Sequence, residues 1–303
     1  MTERDMTERK AHLDALAVGT MVACCFLWGL NQVAAKAALA EVPPLWQAAS
    51  RSLIGALLVW LWARARGIAL FERDATLPGG LLAGALFGVE FLCIFIGLQF
   101  TTASRMVVWI YVSPFVVALG MPYIAHTERL SRRQLGGLLL AFAGVAWSFA
   151  EGFTSPAAGP HQLLGDALGV AAGVLWGATT LAIRASRLTA ASAEKTLLYQ
   201  LAVSGALLLL AALGAGMPLP GRLSALAWIA MGFQIVIVTF ISYLAWFWLI
   251  RRYPATRLAS FTLLTPVFGL VMGAALLGEP ITMRLVVALT AVAAGIVLVN
   301  RKP

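Results

Sequence analysis

Apolar runs of roughly 20 residues follow one another along nearly the whole chain, parted by short polar stretches. A helix of that length crosses the ~30 Å hydrocarbon core of a bilayer, whereas a spanning strand is about half as long. Ten spans can be marked: 13–38, 46–65, 79–98, 102–125, 134–150, 164–184, 194–213, 223–250, 254–277 and 281–299. Lipid offers the backbone no hydrogen-bond partner, so segments this long are expected to be helices. Most connections are a few residues long. The longest, EGFTSPAAGPHQLLGD at 151–166, has the Gly and Pro content of a linker. The pattern predicts an all-α polytopic membrane protein without a soluble domain.

The polar interruptions occur twice. FLWGLNQVAAKAA at 26–38 and VLWGATTLAIRAS at 174–186 share Leu-Trp-Gly, then two polar residues, then one basic residue eight positions after the tryptophan. VSPFVVAL at 112–119 matches LTPVFGLV at 264–271, placing Pro114 opposite Pro266. HTERLSRRQLGGLLLAFAGV at 126–145 matches LGEPITMRLVVALTAVAAGI at 277–296, placing Glu128 opposite Glu279 and Gly144 opposite Gly295. The offsets of 148, 152 and 151 residues fit a duplicated unit of five spans with small insertions. An odd number of spans makes the second copy start on the opposite side of the membrane from the first. The expected architecture is therefore ten transmembrane helices as two inverted five-helix repeats, which supplies two packings open to opposite sides. The corresponding boundaries are a tail at 1–12, a first repeat at 13–150, an outer linker at 151–163, a second repeat at 164–299 and a tail at 300–303.

Composition agrees with the pattern. Hydrophobic residues make up 61% of the 303, charged residues 12%, and mean hydropathy is +0.88. A soluble domain carries about twice that charge. Seventeen basic residues fall at one set of ends and loops, four at the other (Lys36, Arg105, Arg222, Arg284), with Arg51 inside a span. By the positive-inside rule both termini are cytoplasmic. Topology thus accounts for the net charge of +9, and no nucleic-acid partner is implied; lipid and a small-molecule substrate are the expected partners. The opening MTERDMTERKAHLD carries both signs and precedes a span longer than a signal-peptide core, so the first span is expected to stay in the membrane. Cys24, Cys25 and Cys93 lie within spans and read as packing residues, not as a disulfide framework.

Candidate chemistry sits on polar helical faces. Trp28, Asn31, Gln32 and Ala35 fall at i, i+3, i+4 and i+7, as do Trp176, Thr179, Thr180 and Ile183; Thr239, Ser242, Tyr243 and Trp246 share the spacing. Amides and hydroxyls are costly in hydrocarbon, so these faces turn to protein or to water. Asn31 and Gln32 read as cavity lining. For Thr179, Thr180, Thr239 and Ser242, ordinary helix–helix hydrogen bonding, worth about 0.6 kcal/mol, fits equally. Glu90 lies near the midplane, where a charge costs at least about 2.5–3.5 kcal/mol; it must be paired, protonated or wetted. It reads as a substrate-amine contact or proton carrier, or else as structural. Arg51 and Lys36 are its candidate charge partners, and Arg51 alternatively snorkels to the outer headgroups. Trp28, Trp109, Trp176 and Tyr111 lie deep enough to stack on a flat apolar substrate, or serve as packing. Trp46, Trp60, Trp62, Trp147, Trp228 and Trp248 sit near span ends as belt residues. Pro114 and Pro266 each remove a helical hydrogen bond and are expected to bend the fourth and ninth spans into gates. Glu128 and Glu279 read as caps or ion-pair members. His12, His126 and His161 lie at or outside span ends, and no hydrolase, phosphate-loop, cofactor or metal-ligand pattern occurs. An enzyme is not expected; a channel remains open, because polar faces line pores as well as carriers.

The ten spans, the two halves, Leu-Trp-Gly early in each, and proline in the fourth and ninth spans followed by glutamate at their ends resemble the EamA-type drug/metabolite transporter superfamily, over about residues 13 to 300. Within it the chain looks most like the aromatic amino-acid exporter branch. The resemblance implies a bacterial inner-membrane exporter of amino acids or related amphipathic metabolites, with a central cavity walled by the first, third, fourth, sixth, eighth and ninth helices. Multidrug or organic-cation efflux and a channel-like facilitator are the alternatives. Anionic substrates rank lower, since only Arg51 and Lys36 qualify as cavity cations. Protons are a candidate coupling ion through Glu90, and passive export is equally allowed.

Overall fold

The computed structural model describes residues 13–101, 103–124, 131–148, 161–277 and 283–300. The N-terminal tail, Glu128, Glu279, most of the 151–163 linker and residues 301–303 lie outside them. Every regular element among the described residues is helical. In the first half these are α1 (Ala15–Ala38), α2 (Pro44–Ala65), α3 (Leu77–Phe100), α4 (Ala103–Ile110), α5 (Ser113–Ile124) and α6 (Arg132–Ser148). The second half has α7 (Gln162–Ala185), α8 (Ala193–Gly214), α9 (Ala225–Arg252), α10 (Ala255–Phe261), α11 (Leu264–Leu277) and α12 (Met283–Asn300). Starts are chemically marked: Asp14, Ser192 and Ser224 each accept a backbone N–H from the first turn of α1, α8 and α9.

Among the described residues, α1, α3, α7, α8 and α9 are each long and apolar enough to cross a membrane. Helix α2 has the length, at 22 residues, but buries Gln47, Arg51 and Ser52 on one side. The expected spans 102–125 and 254–277 are not single bent helices. Each is two helices parted by two residues, Tyr111–Val112 in one and Thr262–Leu263 in the other. Pro114 and Pro266 are the second and third residues of the new helices α5 and α11. In a first turn the missing N–H has no helical acceptor to lose, so proline restarts the helix instead of kinking it. The breaks leave carbonyls that lipid cannot satisfy, and nearby side chains supply donors. Cys25 donates its S–H to the Phe261 carbonyl (3.3 Å), and Thr262 its hydroxyl to the Ala259 carbonyl (2.6 Å).

The halves interleave. The most extensive packing pairs α6 with α12, α3 with α7 and α8, α2 with α8, and α1 with α11, always one helix from each half. The glycine of Leu-Trp-Gly explains two of these approaches. A Cβ on Gly29 would stand 2.9 Å from the Gly269 nitrogen and 3.0 Å from the Thr265 oxygen of α11. A Cβ on Gly177 would stand 2.5 Å from Val116 Cβ and 3.1 Å from the Ser113 oxygen of α5. Each glycine therefore lets its helix lie against the restarted helix of the other half. Where α4 meets α7, Arg105 donates through Nε (3.1 Å) and Nη2 (2.5 Å) to both carboxylate oxygens of buried Asp166, and Thr101 adds its hydroxyl at 2.8 Å.

Loops are tied across the halves as well. Glu41, after α1, accepts the Ser224 amide and hydroxyl, both at 2.6 Å, and these bonds hold its carboxyl below the usual range. Asp74, before α3, accepts Lys195 Nζ at 2.9 Å and the Thr76 hydroxyl at 2.7 Å, with its pKa lowered from 3.8 to about 2 mainly by the Lys195 bond.

Two measurements test this packing. Gly29→Ala should lower the thermal midpoint in detergent by the equivalent of about 1–3 kcal/mol, because backbone must move aside. Gly19→Ala, with nothing within 4 Å of its Cβ position, should leave the midpoint unchanged or raised. For Asp74, a depressed folded-state pKa means its contribution is complete above the unfolded value near 3.8 and is lost as pH falls through about 2. The gap in midpoint between wild type and Asp74→Asn should be constant above about pH 4 and close towards pH 2.

Candidate functional site

The helices enclose a central cavity of about 90 Å³, with walls from α1, α2, α3, α4, α7, α8 and α9. Trp28, Asn31 and Gln32 face it from α1, and Trp176, Thr179 and Thr180 from α7, so the duplicated motif meets itself across one space. The Trp28 and Trp176 rings are 6.2 Å apart and edge-on. Trp246 closes the group at 5.5 Å from Trp28, and Tyr111, at the α4–α5 break, stands 5.4 Å from Trp176. Edge-to-face rings pack well and leave flat faces for a further ring.

Arg51 and Glu90 line the same cavity. Arg51 is 2% exposed and does not snorkel outward. Its Nε donates to Thr239 Oγ1 (3.1 Å), its Nη2 to the Tyr243 hydroxyl (2.8 Å), and its guanidinium lies 4.5 Å over the Phe91 ring. Local packing makes this reach feasible: Gly55, one turn on from Arg51, has no Cβ to hold off the Thr239 side chain. Glu90 is 4% exposed, and its Oε2 has no hydrogen-bond partner. The Asn31 and Gln200 side-chain oxygens on the same walls are likewise buried without a donor. Guanidinium and carboxylate stay more than 4.0 Å apart, forming no ion pair with each other.

Several expected residues sit elsewhere. Lys36 does not pair with Glu90; its Nζ donates to the Leu98 carbonyl (3.0 Å), at the C-terminal end of α3 where a cation is favoured. Trp109 lies outside the cavity wall, with its Cβ against Gly169 of α7. Thr239 and Ser242 do not line the cavity either. The expected face assumed α-helical winding, but α9 winds as a π-helix from Phe233 to Ser242. Tyr243 and Trp246 do face the cavity, whereas Thr239 and Ser242 are covered by the Arg51 and Trp28 side chains that they bond. They work from behind: Thr239 holds Arg51, while the Ser242 hydroxyl accepts Trp28 Nε1 at 2.9 Å and donates to the Val238 carbonyl at 2.6 Å. Thr179 and Thr180 do line the cavity but bond their hydroxyls to the carbonyls of Leu175 and Trp176, one turn back. Gln200, Phe87 and Phe91 complete walls that sequence patterns missed. A glutamine in an apolar span, and two phenylalanines flanking Glu90 at i and i+4, were the available signals.

Comparison with known proteins identifies the setting. The model of the EamA-like transporter family matches the chain twice, over residues 15–150 and 163–301. An uncharacterized transporter of Bacillus subtilis, YvbV, is 29% identical over 286 residues, covering 91% of this chain and 88% of that protein. A probable amino-acid metabolite efflux pump of Salmonella typhimurium is 25% identical over 266 residues, covering 84% and 85%. A crystal structure with 18% sequence identity superposes with a TM-score of 0.77 over 94% of this chain and 97% of its own, which establishes a shared fold. Two copies of one family pattern, spanning nearly all of a helical membrane protein around a central cavity, make this chain a member of the EamA-like transporter family.

Proposed function

We propose that the chain exports amino acids, aromatic or otherwise neutral, and related amphipathic metabolites across a bacterial inner membrane by alternating access. The observation that carries this reading is the cavity: aromatic walls, one guanidinium and one carboxylate, enclosed by helices of both halves. The efflux-pump relatives point the same way. In this reading, ten transmembrane helices form two inverted five-helix units at 13–150 and 164–299, with both termini cytoplasmic. Support comes from the packing, which obeys a two-fold exchange of the halves. α6–α12 and α2–α8 map onto themselves, and the α1–α11 contact corresponds to α7–α5. The broken helices, α4–α5 and α10–α11, exchange too, and breaks beside a cavity are the form that gating elements of inverted-repeat transporters take. Trp28, Asn31, Gln32, Glu90, Arg51, Tyr111, Trp176, Thr179, Thr180 and Tyr243 would meet the substrate. A proton and a substrate ammonium competing for Glu90 would give antiport. Organic-cation efflux is the second reading, favoured by the ring cluster beside a carboxylate.

Purified protein in liposomes should take up labelled tryptophan and phenylalanine saturably. Acid-inside vesicles should accelerate uptake, and Glu90→Gln should abolish that acceleration. Uptake indifferent to pH in both proteins would leave a facilitative carrier. Folded protein that moves no amino acid but moves a quaternary ammonium dye would replace the proposal with the second reading.

A further inference from the structure

We infer that the cavity is a clamp for a zwitterion, in which Arg51 takes the carboxylate while Glu90, Asn31 and Gln200 take the ammonium. The inference rests on the amino-acid reading and extends it by giving each end of the substrate a protein partner. Three residues that line one small space each carry a buried oxygen without a donor: Asn31 Oδ1 on α1, Glu90 Oε2 on α3 and Gln200 Oε1 on α8. An ammonium brings three N–H donors and no acceptor, which is the complement of that set. Arg51 is the converse. Thr239 and Tyr243 hold Nε and Nη2 and Phe91 covers one face, which fixes the fork while Nη1 keeps its hydrogens for a ligand. A fixed guanidinium is well suited to a carboxylate.

The charges decide between ligand classes. With both groups ionised the clamp is neutral overall, yet Arg51 and Glu90 are not bonded to each other. An organic cation would satisfy Glu90 but set a second positive charge beside Arg51. An anion would reverse the mismatch at Glu90. Like charges brought together in a desolvated site cost several kcal/mol. A molecule carrying both charges on adjacent groups bridges the two and leaves neither unpaired. The aromatic walls are then free for its side chain.

The test is competition by analogues against labelled tryptophan, on full-length protein in nanodiscs. Tryptophanamide keeps the ammonium and lacks the carboxylate; indole-3-propionate keeps the carboxylate and lacks the ammonium. On wild type each should bind roughly 10- to 100-fold more weakly than tryptophan, the range for losing a charged hydrogen bond. Glu90→Gln should weaken tryptophan and tryptophanamide but tighten indole-3-propionate, which loses a like-charge neighbour, and Arg51→Gln should weaken tryptophan and indole-3-propionate but tighten tryptophanamide for the same reason. If Arg51→Gln does not yield monodisperse protein, the wild-type series and Glu90→Gln decide. Tryptophan bound no better than either analogue, or Glu90→Gln weakening all three equally, would overturn the clamp while the transporter reading stands. Folded protein that binds none of tryptophan, phenylalanine and threonine would remove the amino-acid reading itself, and the clamp with it.

Discussion

A guanidinium in the hydrocarbon interior must find its partners within the protein, and Arg51 finds them on two helices besides its own. Isolated, its charge would cost at least about 2.5–3.5 kcal/mol at the bilayer centre. Thr239 and Tyr243 on α9 and the Phe91 ring on α3 meet that demand. Those bonds dictate much around them. Helix α2 must approach α9 closely, hence Gly55, and α9 must turn Thr239 towards α2 while turning Tyr243 towards the cavity. Thr239, in a π-wound segment, and Tyr243, which follows that segment, both reach the one guanidinium. Trp28 is fixed by the same segment through Ser242, so the charged and aromatic walls are held by one stretch of backbone.

Two broken helices, α4–α5 and α10–α11, reach the interior, and Ile110 and Tyr111 at the first break line the cavity. Their restarted halves lean on Gly29 and Gly177, and the tryptophan before each glycine is thereby presented to the cavity. Leu-Trp-Gly thus couples a contact between the halves to the placement of a cavity-facing ring. Movement of a restarted helix against its glycine would shift that tryptophan directly. The ties at Glu41–Ser224 and Asp74–Lys195 join loops of opposite halves and give such a movement fixed points to work against.

Much of this was legible from residue order. Helix positions followed from apolar runs, and the duplication surfaced through Leu-Trp-Gly and the two prolines. Asn31, Gln32 and Glu90 stood out because polar groups in apolar spans are costly. The losses have physical causes. Pro114 and Pro266 mark broken helices, but proline chemistry alone does not separate a bend from a restart. Thr239 and Ser242 share the spacing of Tyr243 and Trp246, but periodicity does not show that Arg51 and Trp28 cover them. Lys36 read as a candidate partner of Glu90 and Arg105 as a charge of the outer side, and their actual partners, the Leu98 carbonyl and Asp166, are set by tertiary packing. Gln200 passed unnoticed because one amide in an apolar run has no periodic companion.

Counterflow separates a carrier from a pore and tests the central claim, that this cavity carries a zwitterion from one face to the other. Liposomes loaded with unlabelled tryptophan would be diluted into a trace of labelled tryptophan, and the label inside followed over time. The account predicts a transient accumulation above the external level, reduced in Glu90→Gln protein shown to be folded, in step with its weaker tryptophan binding. Equilibration without overshoot, at a rate independent of the internal load, would contradict it.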